Sequence, residues 1–528
     1  MNKLEHYDRK QEAYLAQLKA FSESQQYATG QIKAVYQYML KQTIAADLSK
    51  LQPKPKTYVL FQVEVAGSSE AKMWENGELF NAWHQYYWSK KTGAENQVKL
   101  SLDYLTGSMQ PMAEFHPKKL LNGAGNAKLI SKPADKSFYT YQGKFAVFSE
   151  AVSIGYEASQ KAHQFLRYLV KDRGYSCGEQ TIFSYTIGSM KTEVPPPIEE
   201  QSMWDVIQTL SINTDKDGEV KLRAETGFDY ADALRKSLAG YGVNIAHKEH
   251  EQTAVVALDA ATTGRLSITF YRELERGEYL ERIAEWHDHC KWHQQVWSRE
   301  NEKWIRFVGA PAVDRIIEAV YGKPRGAKDE SYTKIKKGAR ERLLRCIFDG
   351  ADIPFDYVKA AVGRASNPVG VTRKGKFNRY DFMSVVSTAC ALVRRDYQQR
   401  NQEVYEMSIE LERRDRDYLY GRLLGAADNL EEYALQKKGN DRVVTAALRH
   451  MQAFALRPFS TWTTIHGCLN PYIQQVKHCF GFREIKNIKQ QFEEGDFERN
   501  EPLGGAYLLG YYHELAHIEA LVKEHSKK

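Results

Sequence analysis

Near the C-terminal end, apolar residues return at intervals of three and four: Leu419, Leu423, Ala426, Leu430 and Ala434, and later Leu508, Tyr511, Leu515, Ile518 and Val522. An α-helix is the backbone that gathers residues so spaced onto one face, so both stretches are expected as amphipathic helices of a C-terminal bundle. A further helix-period run covers residues 10–50, where Tyr14, Leu18 and Phe21 are followed by Val35, Tyr38, Met39 and Leu51.

Between these runs the period changes. Pro53-Lys54-Pro55-Lys56 stops the first helices, and Thr57 to Val65 alternates as a strand does. Residues 98–148 read as short strands with turns at Thr106-Gly107, Asn122-Gly123 and Gln142-Gly143, Ala151 to Lys171 as helix, and Gln180 to Thr186 as strand. Val194-Pro195-Pro196-Pro197 is the clearest linker, held extended and poor in donors. A helix around Ala231 to Leu238 and strands over Thr253–Leu258 and Leu266–Tyr271 follow, and nearly everything beyond them reads as helix. The expected fold class is α+β, a mixed N-terminal and central body followed by an all-helical C-terminal bundle. Its segments are 1–56, 57–193, 198–400 and 401–528.

Hydrophobic residues at 42% and charged residues at 27% describe a globular chain rather than a disordered one. The opening residues lack an apolar signal core and no later run is apolar enough to span a bilayer, so a cytoplasmic protein with no membrane partner is expected. The six cysteines form no C-x-x-C pair, which favours reduced, buried thiols over a disulfide framework or a cysteine-rich zinc site. Residues 321–380 hold fifteen Lys and Arg against six Asp and Glu, a local excess of +9 in a chain whose net charge is +7. A basic excess confined to one region is the footprint of a polyanion partner, and Tyr332, Tyr357, Phe377 and Tyr380 interleave with the charges as stacking groups would. A solvated basic face gives the same count.

Two clusters raise metal chemistry. His513-Glu514-Leu515-Ala516-His517 fits the H-E-x-x-H pattern of zinc peptidases, in which Glu514 would be the general base. On the expected helix, His513 and His517 point roughly 150° from the apolar stripe, toward solvent or a neighbouring helix. A third ligand is missing: Lys523 holds the position where a third His belongs, and His525 and Glu519 lie at no recognised spacing. The second cluster, His287, His289, Cys290 and His293, falls in a run from Tyr279 to Trp297 whose stripe is Tyr279, Ile283, Trp286, Cys290 and Trp297. It reads as a core cysteine with partly buried histidines. No phosphate-binding Gly loop, nucleophile elbow or dinucleotide fingerprint occurs, and no metal, cofactor or catalytic residue is expected.

Several blocks stand along the chain in this order: Thr106-Gly107, His116-Pro117, Gly123 to Ser131, Tyr141 to Phe145, Ile347 to Gly350 with Ile353-Pro354, Arg364 to Pro368, Ser387 to Leu392, Tyr420 to Asp428, Phe454 to Trp462, Leu469 to Tyr472, and Gly504 to His513. Together they resemble the large subunit of the type I-C CRISPR surveillance complex. That resemblance implies a non-catalytic protein that binds double-stranded DNA beside the protospacer-adjacent motif and holds the displaced strand while guide RNA pairs with the target. It also implies partners: the backbone and processing subunits with their guide RNA, and a helicase-nuclease recruited in trans.

Members of that family open with a β-rich segment ahead of the helices. Its apparent absence here implies an N-terminally shortened form, in which contacts to the guide-RNA handle and the protospacer-adjacent motif would be affected.

On this resemblance the phosphate contacts fall to Lys334, Lys336, Lys337, Arg340, Arg364, Arg373, Lys374 and Lys376, with Lys128 in the central segment. Asn126 and Asn367 are candidates for base or backbone hydrogen bonds, or simply for turns. Arg442, Arg449, Arg483, Lys486 and Lys489 are expected to line a single-strand path on the bundle. The resemblance further implies a small-subunit-like fragment of the same gene, for which Met407 is the expected internal start. Ser408 is expected to cap the helix that follows, Glu410 to stand in its first turn, and Met407–Lys528 to enclose its own core.

Overall fold

Alternation in two strands of the central region decides how the body is layered. A computed structural model describes residues 3–49, 58–67, 70–92, 100–113, 115–131, 145, 153–188, 197, 228–229, 251–262, 264–298, 303–326, 329–373, 376–437, 444–476 and 479–527. The chain forms two compact units, one of residues 1–114 with 133–159, the other of 115–132 with 160–528.

The first unit contains helices α1 (Lys3–Ser22), α2 (Gly30–Leu40), α3 (Ile44–Ser49) and α4 (Gly77–Thr92), and a hairpin of β1 (Leu100–Leu102) and β2 (Met109–Pro111). Leu18, Phe21, Ile32, Val35, Leu79 and Tyr86 form its core. Thr29 accepts a hydrogen bond from the Ile32 N–H and caps α2. The strand expected over Thr57–Val65 is replaced by a single bridge between Gln62 and Lys72. Tyr14, expected in the core, is exposed.

Helix α5 (Tyr156–Arg173) leads into the second unit. Its main sheet has the order β3 (Tyr175–Cys177), β4 (Gln180–Thr186), β6 (Gln252–Thr262), β7 (Arg265–Glu275), all antiparallel; β5 (Phe228–Asp229) comes between β4 and β6 in the chain and belongs elsewhere. Because successive side chains alternate across a strand, Ile182, Val255 and Ala257 face the principal core, while Phe183, Ala254, Val256 and Leu258 face a second one closed by Leu120, Leu121, Ala127 and Leu169. After the sheet, α6 (Arg276–His289) ends at Cys290 and the chain turns into β8 (Trp292–Ser298) and β9 (Lys303–Gly309), antiparallel to each other and with β5 parallel to β9. The continuous helix expected to Trp297 is thus half helix and half strand. His289 and His293 lie on different elements.

Helices then dominate: α7 (Val313–Tyr321), α8 (Glu330–Phe348), α9 (Phe355–Ala365), the hairpin β10 (Thr372–Arg373) and β11 (Lys376–Phe377), α10 (Arg379–Arg400), α11 (Arg416–Lys437), α12 (Ala446–Leu456), α13 (Pro458–Ile473), α14 (Phe480–Lys489) and α15 (Ala506–Lys527). The architecture is α+β with a helical C-terminal region. Helix α11 starts later than expected, because the N-cap is Asp415, which accepts from the Tyr418 N–H at 2.8 Å, and not Ser408. The core of the region from 407 onward is continuous with that of the body. One apolar cluster runs from Ile182 and Val255 through Leu343, Phe382 and Leu392 to Leu423, Tyr507 and Ile518. Polar links cross it too: Tyr507 bonds Ser366, Arg379 pairs with Asp428 at 2.8 Å, and the ring of Trp292 stacks on His513. The linker at 194–196 and the helix expected at Ala231–Leu238 lie outside the described residues.

Candidate nucleic-acid interface

Helix α8 shows how the basic window is arranged. Asp329 caps it by accepting from the Tyr332 N–H at 3.0 Å, and Leu343, Leu344, Ile347 and Phe348 anchor it in the core. Its cations then divide. Lys337 is drawn inward between Asp259 at 2.7 Å and Glu179 at 3.2 Å; burial works against its charge, but the two carboxylates outweigh it and hold its pKa up. Arg340 is 1% exposed and meets Asp314 at 3.1 Å, and Lys336 bonds the same carboxylate. These three residues, expected at phosphates, are paired with the protein's own carboxylates, Lys337 and Arg340 buried and Lys336 partly so. Removing one member of such a buried pair costs stability before it costs any surface contact.

Lys334, Arg345 and Lys359 are exposed, and none of their side chains has an ion pair or hydrogen bond among the described residues. Arg364, at the end of α9, is half-buried, with its Nε out of solvent and unpartnered among those residues. Arg373 and Lys376 stand opposite each other in the β10–β11 hairpin, whereas Lys374 lies outside the described residues. Asn367 takes the turn-forming role: its side-chain oxygen accepts from the Gly370 N–H at 3.2 Å. Asn126 is exposed and accepts from Lys118 at 3.4 Å. Lys128 is held by backbone bonds to Gly264 and Leu266, its ammonium 5.6 Å from the Phe115 ring centre.

On the C-terminal region, Arg483, Lys486 and Lys489 recur every three residues along the exposed side of α14. Arg483 lies over Phe480 and Lys489 over Phe497. Arg449 is exposed on α12, and Arg442 lies outside the described residues.

The motif with the look of a catalytic centre is part of a helix contact. Helices α11 and α15 cross so closely that a Cβ on Gly421 would stand 1.8 Å from the Tyr507 carbonyl oxygen. From Ala506 to Tyr511, and again at His513 and Glu514, α15 is therefore buried beyond one stripe, and Val522 at its far end is exposed. His513 accepts or donates at Nδ1 with the Tyr418 hydroxyl at 2.8 Å and stacks on Trp292 at 5.1 Å. Burial, reinforced by the charges of His293 and Arg422, lowers its pKa to about 3. Glu514 accepts from the Arg422 Nε at 2.9 Å, both side chains fully buried; burial pushes its pKa up to about 7 against the pull of Arg422. His517 is half-buried. Among the described residues no group of three or more His, Cys, Asp or Glu side chains is placed to hold a metal ion. Cys290 is buried with its thiol pushed up to about 12, so it is no ready thiolate ligand.

Against this geometry, residues 2–518 match the profile of the CRISPR-associated protein (Cas_Csd1) family. The chain belongs to that family. No curated protein matches it. The Cas_Csd1 match starts at residue 2, so it includes the N-terminal helices and lends no support to a shortened form. It also covers all of the basic window and the α11–α15 contact, so the features described above belong to the body of a CRISPR-associated protein. Among the described residues, no helix of this Cas_Csd1 protein is long and apolar enough to cross a membrane.

One feature escaped the sequence reading. Tyr321 and Lys323, with Ser384 on α10, join Arg364 around a cavity. Its only local signal is the acid-free run from Tyr357 to Tyr380, which contains Arg364 but none of the other three.

Proposed function

We propose that the protein is the large subunit of a type I-C CRISPR effector complex, acting in the cytoplasm without catalysing a reaction of its own. In this role it binds target double-stranded DNA near the protospacer-adjacent motif, stabilises the displaced strand while the guide RNA pairs, and offers a docking surface to the helicase-nuclease. Backbone and processing subunits with their guide RNA are its standing partners, together with a small-subunit-like product of the same gene. The observation that carries this reading is the Cas_Csd1 match over residues 2–518.

The distribution of charge supports it. Base pairing supplies the sequence readout in such complexes, so the protein needs backbone cations more than base contacts. Lys334, Arg345, Lys359 and the α14 row of Arg483, Lys486 and Lys489 are exposed cations of that kind. The H-E-x-x-H segment supports a peptidase poorly, since His513 and Glu514 are consumed by Trp292, Tyr418 and Arg422.

The test is reconstitution. Backbone subunit, processing subunit and guide RNA are assembled with and without this chain, and binding of a matched double-stranded target is measured. Binding should require the chain and should fail to recruit the helicase-nuclease without it. Equal target binding in its absence would reject the proposal.

A further inference from the structure

A cavity of about 300 Å3 lies where α7, α9 and α10 meet. Two ion pairs sit in its wall, Arg315 with Glu318 at 3.4 Å and Lys323 with Asp381 at 3.2 Å, so four of its charges cancel locally. Arg364 is the charge left over. It has no ion pair among the described residues, and its Nε is buried without a partner there. Its guanidinium rests against Gly322, where a Cβ would stand 3.1 Å from both terminal nitrogens and where φ is +88°. Glycine at 322 thus keeps the space in which the guanidinium lies. Next to it Tyr321, a residue 39% exposed, lines the cavity, its ring steadied edge-on by Tyr357 at 5.8 Å. Ser384 adds a hydroxyl from α10.

An unpaired guanidinium, an accessible aromatic ring and a hydroxyl in a concave site match the parts of one nucleotide. Arginine offers a planar fork to phosphate oxygens, and any base can stack on a tyrosine. The cavity wall also includes Val371, from which the backbone runs directly into the β10–β11 hairpin, a segment whose sequence from Thr372 to Lys376 holds three basic residues and no acidic one. That continuity favours a polymer over a free nucleotide. We propose that this cavity holds one nucleotide of single-stranded DNA, its phosphate on Arg364 and its base against Tyr321. The proposal rests on the DNA-binding role given above and adds a specific seat for the strand.

The experiment uses the full chain in the assembled complex, with short oligothymidylate as probe. Arg364→Gln and Tyr321→Ala should each weaken strand binding roughly tenfold, while Tyr321→Phe binds as the parent does. An oligonucleotide carrying 5-iododeoxyuridine should photocrosslink to Tyr321 in the unaltered protein, which tests the site even if a variant folds poorly. If strand binding persists unchanged in both variants and no crosslink maps to Tyr321, while Lys334→Ala still weakens it, the cavity is off the DNA path and the proposal fails although the DNA-binding role stands. A complex that binds no DNA overturns both. Thymidine monophosphate or an RNA strand competing better than the DNA strand would assign the cavity to another ligand and overturn the proposal as stated.

Discussion

Replacing Gly421 by alanine tests the contact on which both the bundle and the non-catalytic reading of His513-Glu514 depend. The added methyl would stand 1.8 Å from the Tyr507 oxygen, 2.6 Å from its carbonyl carbon and 2.9 Å from its Cα. All three atoms are backbone, so no rotamer change relieves the clash, and α11 must move away from α15. The same movement stretches the Arg422–Glu514 bond of 2.9 Å and the Tyr418–His513 bond of 2.8 Å. Overpacking of this kind costs about 1–3 kcal/mol, and each loosened buried hydrogen bond about 1 kcal/mol more. Alanine returns about 1 kcal/mol through its better helix propensity. The net loss is about 3 kcal/mol.

Because a chain of two units need not unfold in one step, the measurement is amide hydrogen exchange across α11 and α15, which reports local opening. Exchange there should quicken by about a hundredfold, since 1.4 kcal/mol is a factor of ten. Gly467→Ala is the control: it lies in α13 with nothing within 4 Å of an added Cβ, so the same substitution should stabilise by up to about 1 kcal/mol. Equal or slower exchange in Gly421→Ala than in Gly467→Ala would refute the close crossing, and with it the buried setting assigned to His513 and Glu514.

The two classes of basic residue on and around α8 should separate in one experiment. Lys334→Ala and Lys359→Ala should each lower the salt dependence of DNA binding by roughly 0.7–0.9 in the log–log slope at little cost in stability, whereas Lys337→Ala should destabilise the fold and leave the slope alone. The buried pair at 513 and 514 titrates in opposite senses. His513, lowered to about 3, is neutral in the fold and charged when unfolded, so its share of stability is lost as pH falls below 6.5, about 2 kcal/mol by pH 5; Glu514, raised to about 7, loses its share as pH rises from 4.5 through 7. Urea titrations between pH 7 and pH 5 should therefore show a steeper acid loss for Glu514→Gln and a shallower one for His513→Gln, and elemental analysis should find no stoichiometric zinc in any of them. A Met407–Lys528 fragment made alone should bind a hydrophobic dye strongly, because Gly505, Tyr507 and His513 would lose Val393, Ser366 and Trp292 of the body; a dye-silent, cooperatively melting fragment would show that it closes without the body.

What could be read from the sequence was whatever local period and local chemistry decide. Strand β4 falls at Gln180–Thr186 as expected, and β6 and β7 contain the expected strands, because apolar β-formers run between clear turn signals. The β8–β9 hairpin was hidden for a converse reason. Cys290 ends α6 with no glycine or proline to announce it, and Trp297, seven residues further on, then continues the helical spacing by accident. The stripe expected on α15 holds at Leu508, Tyr511 and Ile518 but is only part of the buried surface, because Gly421 lets two backbones meet, which buries His513 and Glu514 on the face a wider crossing would leave open. Charge shows the limit most sharply. The +9 of residues 321–380 is a correct count, yet Lys336, Lys337 and Arg340 are neutralised by Asp314, Asp259 and Glu179, which lie outside that window in the chain. A local excess becomes an interface only after folding has subtracted its internal partners, and the cations that survive the subtraction, Lys334, Lys359 and Arg364 among them, are those on which the proposed phosphate contacts depend.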